Sequence, residues 1–262
     1  MMLKNKVAVI YGAGGAVGGA VARAFAREGA KLFLTGRLQA PVEMVAKDVV
    51  SAGGSAEVAK VDALDERALD EHLQSVIDKA GRLDISFNAI GISDTDTVGV
   101  PLVELEVGKF SLPIMSYATS YFLTARLAAR AMVLNKSGVI MTVTALPSRT
   151  GTPLVGGYSP AMAAKEALTR SLSAELAPHG IRVVSLRPHA MPETDTIRRV
   201  FNLKAATVMT WEQWQEALAS RTHTRRLMTL TELASAAALF ASDQASGLTG
   251  TTVNLTMGSL DD

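Results

Sequence analysis

The chain contains no cysteine and few charged residues. Without cysteine among its 262 residues, disulfides, cysteine nucleophiles and thiolate metal sites are excluded. Charged residues make up 19% of the chain, against a usual share of about 25%, which excludes a disordered, highly charged protein. Because 26 basic residues face 25 acidic ones, no cationic field exists to hold nucleic acid or an anionic membrane. So little charge predicts that a partner covers part of the surface.

Long hydrophobic runs are also missing. No stretch approaches the roughly 18 apolar residues needed to span a bilayer. The apolar run at residues 7–10 is too short for a signal peptide. We therefore expect a soluble, cytoplasmic protein. The four histidines show no metal-ligand spacing, so no metal site is expected.

Short β-branched segments alternate with longer segments of helical periodicity. Strands are predicted at residues 6–11, 31–35, 56–61, 83–88, 138–144, 181–186 and 252–255. Helices are predicted at residues 16–29, 41–52, 65–80, 112–134, 160–177 and 231–241. Apolar strands separated by helices predict a Rossmann-type, doubly wound α/β fold, with a seven-stranded parallel sheet and helices on both faces. We expect a single domain over residues 1–262, with an insertion at about 192–224 that forms a lid or substrate wall.

A glycine-rich turn follows the first predicted strand and opens the first predicted helix. It reads Gly12-Ala13-Gly14-Gly15-Ala16-Val17-Gly18. In this context glycines let the backbone approach a dinucleotide pyrophosphate, and the helix N-terminus offers free N–H groups. The turn therefore predicts cofactor contacts from Gly12, Gly15, Ala16, Val17 and Gly18.

The end of the second predicted strand indicates which dinucleotide is bound. NAD-selective sites place an acidic residue there to hold the ribose 2′-hydroxyl. This chain has none and reads Thr35-Gly36-Arg37. Arg37 offers a forked cation to a 2′-phosphate, so we expect NADP(H) to be preferred over NAD(H).

Further motifs resemble those of the short-chain dehydrogenase/reductase superfamily over nearly the whole chain. The glycine turn is similar to the family motif Thr-Gly-x-x-x-Gly-x-Gly, with Tyr11 for threonine and Ala16 for the middle glycine. Asp62-Ala63 resembles the adenine-contacting motif, Asn88-Ala89-Ile90-Gly91 resembles Asn-Asn-Ala-Gly, and residues 248–258 resemble the last strand. The resemblance implies cofactor contacts from Asp62, Ala63, Asn88, Ala89, Gly91, Lys165, Pro188 and Met191.

The catalytic positions depart from the family pattern. The resemblance implies a catalytic tyrosine at Tyr158, but Met162 replaces the lysine four residues on. Lys165 stands seven residues on, and seven residues turn a helix by about 700°, which returns near the same face. We expect Tyr158 to be the proton donor. Lys165 would lower the pKa of the Tyr158 hydroxyl and would also hold the cofactor ribose. The Tyr-x6-Lys spacing resembles the divergent enoyl-thioester (enoyl-acyl-carrier-protein) reductases.

A second departure concerns the hydrogen-bond donor beside the tyrosine. Ala145 occupies the position thirteen residues before Tyr158, where the family carries a catalytic serine. Ser148 and Thr144 are candidates to replace it, and we add Ser148 to the catalytic set. His189 follows the sixth strand, either as a donor to substrate or phosphate or as a loop histidine in water.

Two functional hypotheses follow from these residues. The leading one is an NADP(H)-dependent oxidoreductase that transfers hydride between nicotinamide and a small carbonyl/alcohol or acyl-thioester (enoyl-thioester) substrate. The alternative is a non-catalytic NADP(H)-binding sensor or scaffold. The mildly charged helices 112–134 and 160–177 predict a homo-oligomer, and the resemblance implies a dimer or tetramer through them.

Overall fold

The computed structural model describes residues 1–92 and 97–261. Its strands are β1 (Val7–Tyr11), β2 (Lys31–Gly36), β3 (Ser55–Lys60), β4 (Ile85–Asn88), β5 (Gly138–Val143), β6 (Ile181–Pro188) and β7 (Thr251–Leu255). They pair in parallel in the order β3-β2-β1-β4-β5-β6-β7. The seven-stranded parallel sheet predicted from the sequence is confirmed.

Helices cover both faces of the sheet. They are α1 (Ala16–Arg27), α2 (Gln39–Ser51), α3 (Glu66–Ala80), α4 (Val107–Asn135), α5 (Tyr158–Leu176), α6 (Asp195–Lys204), α7 (Trp211–Ala219) and α8 (Leu230–Ala241). On one face, Ala8 and Ile10 of β1 pack in a core with α1, α2 and α8. On the other, Val7 and Val9 pack with α3, α4 and α5. Alternate residues of one buried strand thus supply two cores, which explains why the strands are apolar without alternation.

Three helices differ from the sequence prediction. The predicted helix 112–134 begins at Val107, and Pro113 lies inside it. Proline favours the first helical turn, so it misplaced the predicted start. Helices α6 and α7 were not predicted, because α6 is strongly polar and α7 has only nine residues. Their starts are nevertheless marked, since the hydroxyl of Thr194 caps α6 and Thr210 forms a capping box with Gln213 on α7.

No helix within residues 1–92 and 97–261 is long and apolar enough to cross a membrane.

Candidate active site

A cavity of about 1010 Å³ opens at the carboxyl ends of the strands. It extends from the loop after β2 across the loops after β1, β4 and β5 to the loop after β6 and the helix pair α6–α7. The strand order reverses between β1 and β4. In open α/β sheets, ligands bind in the crevice at that reversal. The cavity is therefore the candidate site.

The glycine turn forms one end of this cavity. Gly12 has φ +78°, and a Cβ there would lie 2.6 Å from the carbonyl oxygen of Ala89, so only glycine fits. A Cβ on Gly18 would collide with the carbonyl oxygen of Gly12. The N-terminus of α1 at Gly15 has no side-chain cap and no acidic residue in its first turn. A close backbone approach beside an uncapped helix N-terminus fits a dinucleotide pyrophosphate. Of the predicted contacts here, the cavity is lined by Gly12, Gly15, Ala16 and Val17, whereas Gly18 lies behind the turn.

Arg37 lines the same end of the cavity. Its guanidinium has no hydrogen bond or ion pair with any residue that the structure describes. Asp62 and Ala63 also line this end, and the Asp62 carboxylate accepts a hydrogen bond from the backbone N–H of Leu64 at 3.0 Å. A cation without a partner and a carboxylate held by its own loop suit the adenosine half of a dinucleotide.

The loop after β4 supplies backbone to the cavity wall. Ala89 and Gly91 line it. The Asn88 side chain instead lies buried beneath the wall, where its Nδ2 donates to the hydroxyl of Thr124 at 3.1 Å. Asn88 therefore ties β4 to α4 and does not reach the cavity.

Tyr158 is the first residue of α5, and its side chain lines the cavity. It packs edge-on against Tyr117 of α4, with ring centroids 5.7 Å apart. Met162 lies one turn further along α5 and also lines the cavity. The wall position of the family's lysine is thus filled by a thioether.

Lys165 does not line the cavity. It is 1% exposed, and its Nζ donates to the backbone carbonyl of Val143 at 2.8 Å. Its ammonium lies 5.7 Å from the ring centres of both Tyr117 and Tyr121. Burial lowers the pKa of Lys165 to about 7. Lys165 lies three residues after Met162 on α5, and its side chain lies behind the ring of Tyr117. Lys165 therefore contacts the cavity wall from the protein interior.

A buried polar cluster lies beneath the loop after β5. Arg187 and Glu166 form a two-pronged ion pair, with Nε donating to Oε1 at 2.9 Å and Nη2 to Oε2 at 2.8 Å. Ser148 donates to Glu166 Oε1 at 2.5 Å and accepts from Arg187 Nε at 3.2 Å. Thr144 donates toward Glu166 Oε1 and toward the carbonyl of Leu186, at 3.0 and 3.3 Å. Burial alone would raise the pKa of Glu166, but the hydrogen bonds from Arg187, Ser148 and Thr144 hold it below its ordinary value.

This cluster changes the part that Ser148 can take. The Thr144 hydroxyl faces two acceptors, Glu166 Oε1 and the Leu186 carbonyl oxygen, and the Ser148 hydroxyl donates to the Glu166 carboxylate. Since each hydroxyl has one proton, neither has a proton left for a substrate oxygen. Ser148 also lies outside the cavity wall. The structure therefore brings Tyr158 to the cavity, but brings neither Ser148 nor Lys165 there.

The far end of the cavity is built by the loop after β6 and by α6–α7. Pro188, His189 and Met191 line it. From the stretch predicted as a lid, Val200 and Trp214 also line the cavity. Trp214 stacks on Trp211 with ring centroids 5.5 Å apart. Both tryptophans of α7 pack on Phe201 of α6, at centroid distances of 5.6 and 5.2 Å, which joins the two helices.

Sequence reasoning missed several residues of this site. Glu166 stands beside Lys165 on the buried face of α5, and Arg187 lies near the end of β6, so no motif in the sequence marks either residue. Arg221 and Ser259 line the cavity from the end of α7 and from the chain after β7, and no motif marks them.

Comparison with known proteins gives consistent matches. A family model described as enoyl-(acyl carrier protein) reductase matches residues 12–259. The chain is 31% identical to the uncharacterized oxidoreductase YxbG of Bacillus subtilis, over 95% of this chain and 88% of that one. It is 28% identical to the 3-oxoacyl-[acyl-carrier-protein] reductase FabG of Rickettsia conorii, over 98% of each. A solved 7α-hydroxysteroid dehydrogenase, in complex with NADH and 7-oxo glycochenodeoxycholic acid, superimposes with a TM-score of 0.86 at 27% identity, covering 98% of this chain and 94% of that one.

Proposed function

The chain belongs to the short-chain dehydrogenase/reductase superfamily of nicotinamide-dependent oxidoreductases, and from this premise we propose that it is an NADP(H)-dependent reductase of a carbonyl compound or an enoyl thioester. The observation that carries the proposal is that Tyr158 lines the same cavity as the glycine turn and Arg37. A dinucleotide that begins at Arg37 and crosses the turn would end beside that phenol.

The cofactor preference rests on the end of β2. The carboxylate that selects NAD does not occur there, and Arg37 faces the cavity without a partner among the described residues. A guanidinium fork matches a phosphate ester. We therefore expect NADPH to bind more tightly than NADH. Arg37→Asp should weaken NADPH binding and spare or improve NADH binding in fluorescence titrations, and an equal loss for both cofactors would remove the 2′-phosphate argument.

Tyr158 acts as the proton donor in this proposal. Nicotinamide, when bound, would supply the hydride. The Tyr158 hydroxyl would give its proton to the carbonyl oxygen of a ketone, or would hydrogen-bond the enolate oxygen of a thioester whose α-carbon then takes a proton from solvent. Lys165 supports this from inside the wall, where its ammonium holds the Val143 carbonyl and the ring of Tyr117, against which Tyr158 packs. Lys165 is therefore a positioning residue in the proposal.

The chemistry around Ala145 bears on the substrate. Alanine donates no hydrogen bond, and the protons of Thr144 and Ser148 are committed to acceptors inside the protein. An alkoxide formed from a ketone then loses the donor that a serine would provide, whereas charge on a thioester enolate is partly delocalised. This favours the enoyl thioester over a simple ketone.

A matched substrate panel tests the proposal. NADPH consumption at 340 nm is followed with a 3-oxoacyl thioester and with the 2-enoyl thioester of the same chain length. We expect turnover, faster with the enoyl substrate. Tight NADPH binding without turnover across a broad panel of carbonyl and enoyl compounds would instead support the non-catalytic sensor.

The same protein is proposed to work as a homo-oligomer through α4 and α5. Leu112, Met115 and Phe122 lie exposed on one face of α4, at spacings that share a helical face. The exposed face of α5 carries Ala163 and Ala167, which allow close approach of a second helix. A monomer would leave this apolar face in water.

A further inference from the structure

The far end of the cavity contains a polar corner. Hydride transfer to a substrate without a charged group would not require it. We define the lid corner as His189, Trp214, Leu218, Arg221 and Ser259, all of which line the cavity. They come from the loop after β6, from α7 and its end, and from the chain after β7. Neither the glycine turn nor the loop after β2 contributes to it.

Two polar atoms in this corner are buried without a hydrogen-bond partner among the described residues. They are Nδ1 of His189 and Oγ of Ser259, and His189 is only 7% exposed. Buried polar groups in proteins are almost always paired, since an unpaired one costs about 1–3 kcal/mol. Both atoms have almost no accessible surface, so they mark a part of the cavity wall with unused hydrogen-bonding capacity just beneath its surface.

The corner is also positively charged. The guanidinium of Arg221 has neither an ion pair nor a side-chain hydrogen bond within residues 1–92 and 97–261. Burial, followed by the charge of Arg221, lowers the pKa of His189, while the backbone of Ala190 acts in the opposite direction. His189 is therefore a neutral ring that lies close enough to Arg221 to feel its field.

Other charged residues also line this side of the cavity. Lys204 donates to the carbonyl of Pro153 at 2.6 Å, and Arg199 contacts the hydroxyl of Thr196 at 3.3 Å. Asp195 is the acidic residue of α6 that lines the cavity, and it lies in the first turn of that helix, where the helix dipole favours its charge. Arg221 is exposed and, unlike Lys204 and Arg199, has no side-chain partner among the described residues, so it is available to pair with a ligand.

We propose that the lid corner binds an oxyanionic group of the substrate, a carboxylate or a phosphate ester, in the fork of Arg221 beside the neutral ring of His189. The inference rests on the proposed function, since it assigns an anionic substrate class to the same cavity. A guanidinium fork matches either oxyanion with two parallel hydrogen bonds. The corner would hold the substrate by this group while the opposite end faces Tyr158.

The chain's two tryptophans are Trp211 and Trp214, and they stack on each other at this corner. Tryptophan fluorescence therefore reports binding there without any turnover. Benzoate, phenyl phosphate and the neutral analogue benzamide are titrated into protein saturated with NADP⁺. We expect one of the two anions to bind at least about tenfold more tightly than benzamide, as a charge-assisted pair allows, and the tighter anion identifies the oxyanion. Equal binding of all three probes would overturn the proposal.

Arg221→Gln removes the cation and keeps a polar side chain. We expect it to lose about tenfold or more in affinity for the tighter anion, with benzamide unchanged. Arg225→Gln is the matched control, because Arg225 lies four residues on, is exposed and bonds the carbonyl of Ser220 outside the cavity; it should bind the anions as the native protein does. His189→Gln should lower anion affinity less than Arg221→Gln does.

NADPH titration of Arg221→Gln separates the corner from the cofactor site. Affinity within about twofold of the native value is expected. A loss of NADPH affinity as large as the loss of anion affinity would overturn the proposal, because the corner would then serve the cofactor pyrophosphate. Since none of these titrations needs turnover, failure of the reductase activity would leave the lid corner tested on its own terms.

Discussion

Loss of Arg187 from its buried ion pair with Glu166 should strongly lower the stability of the protein, and removal of Glu166 as well should restore part of it. Both side chains are almost inaccessible, at 2% and 4% of their surface. Arg187→Met removes the cation and leaves the Glu166 carboxylate buried with only hydroxyl donors. Breaking a buried pair on one side costs about 3–5 kcal/mol. At about 2–4 °C per kcal/mol for a chain of this size, we expect a fall in melting temperature of about 6–20 °C.

A double variant separates the pair's net contribution from the damage of leaving one charge behind. In Glu166→Leu with Arg187→Met, neither charge of the pair remains, and apolar replacement of a buried pair is often close to neutral. The double variant should therefore be more stable than Arg187→Met alone. Thermal unfolding followed by circular dichroism measures all three proteins.

The pH dependence of stability gives a second test of the same ion pair. Because the pKa of Glu166 is held below its ordinary value of 4.5, the pair's stabilisation is present above about pH 4.5 and is lost as pH falls through the folded-state pKa. Arg187→Met should lose less stability than the native protein on acidification. A loss below 1 kcal/mol in Arg187→Met at pH 7, or a double variant less stable than the single one, would refute this view of the cluster.

Two further predictions concern Lys165 and the exposed face of α4. The pKa of Lys165 is about 7 in the folded protein against 10.5 ordinarily, so the unfolded chain binds the extra proton between those values, and this group makes stability rise with pH by up to about 1.4 kcal/mol per unit. Lys165→Met should lack this rise in urea unfolding at pH 7, 8 and 9, and an unchanged slope would contradict the buried position. Phe122→Glu places a charge on the apolar face of α4 and should shift the protein toward monomer in sedimentation velocity, with the exposed Lys109→Glu as a control; a native protein already monomeric at micromolar concentration would refute the oligomer proposal.

The position of the glycine turn at one end of the cavity was predictable because its geometry is local. Gly12 and the start of α1 are adjacent in sequence, and backbone that must approach a ligand requires glycine wherever the turn occurs. The sheet was predictable for a similar reason, since each strand carries its own apolar signal. The features of the fold that were predicted correctly are therefore those that residues close in sequence determine.

The surroundings of Tyr158 were less predictable because they depend on side-chain direction and on distant partners. Helical spacing returns Lys165 to the face of Tyr158, but it does not reveal that the side chain lies behind Tyr117, where the Val143 carbonyl holds it. Ser148 looks available in sequence, and only its contact with Glu166, eighteen residues away, shows that its proton is engaged. Glu166 lies on α5, and its ion-pair partner Arg187 lies on the following strand, β6. No local sequence pattern links the two residues.

Single-turnover NADPH oxidation by Tyr158→Phe tests the central claim most directly. The variant keeps the ring on the cavity wall and removes only the hydroxyl. Tyr121→Phe is the matched control, since Tyr121 is fully buried, bonds Thr169 and lies off the wall. We expect Tyr158→Phe to slow the reaction by about 10²–10⁴ with NADPH affinity unchanged, and Tyr121→Phe to retain the native rate. A Tyr158→Phe rate equal to the native one would contradict the account.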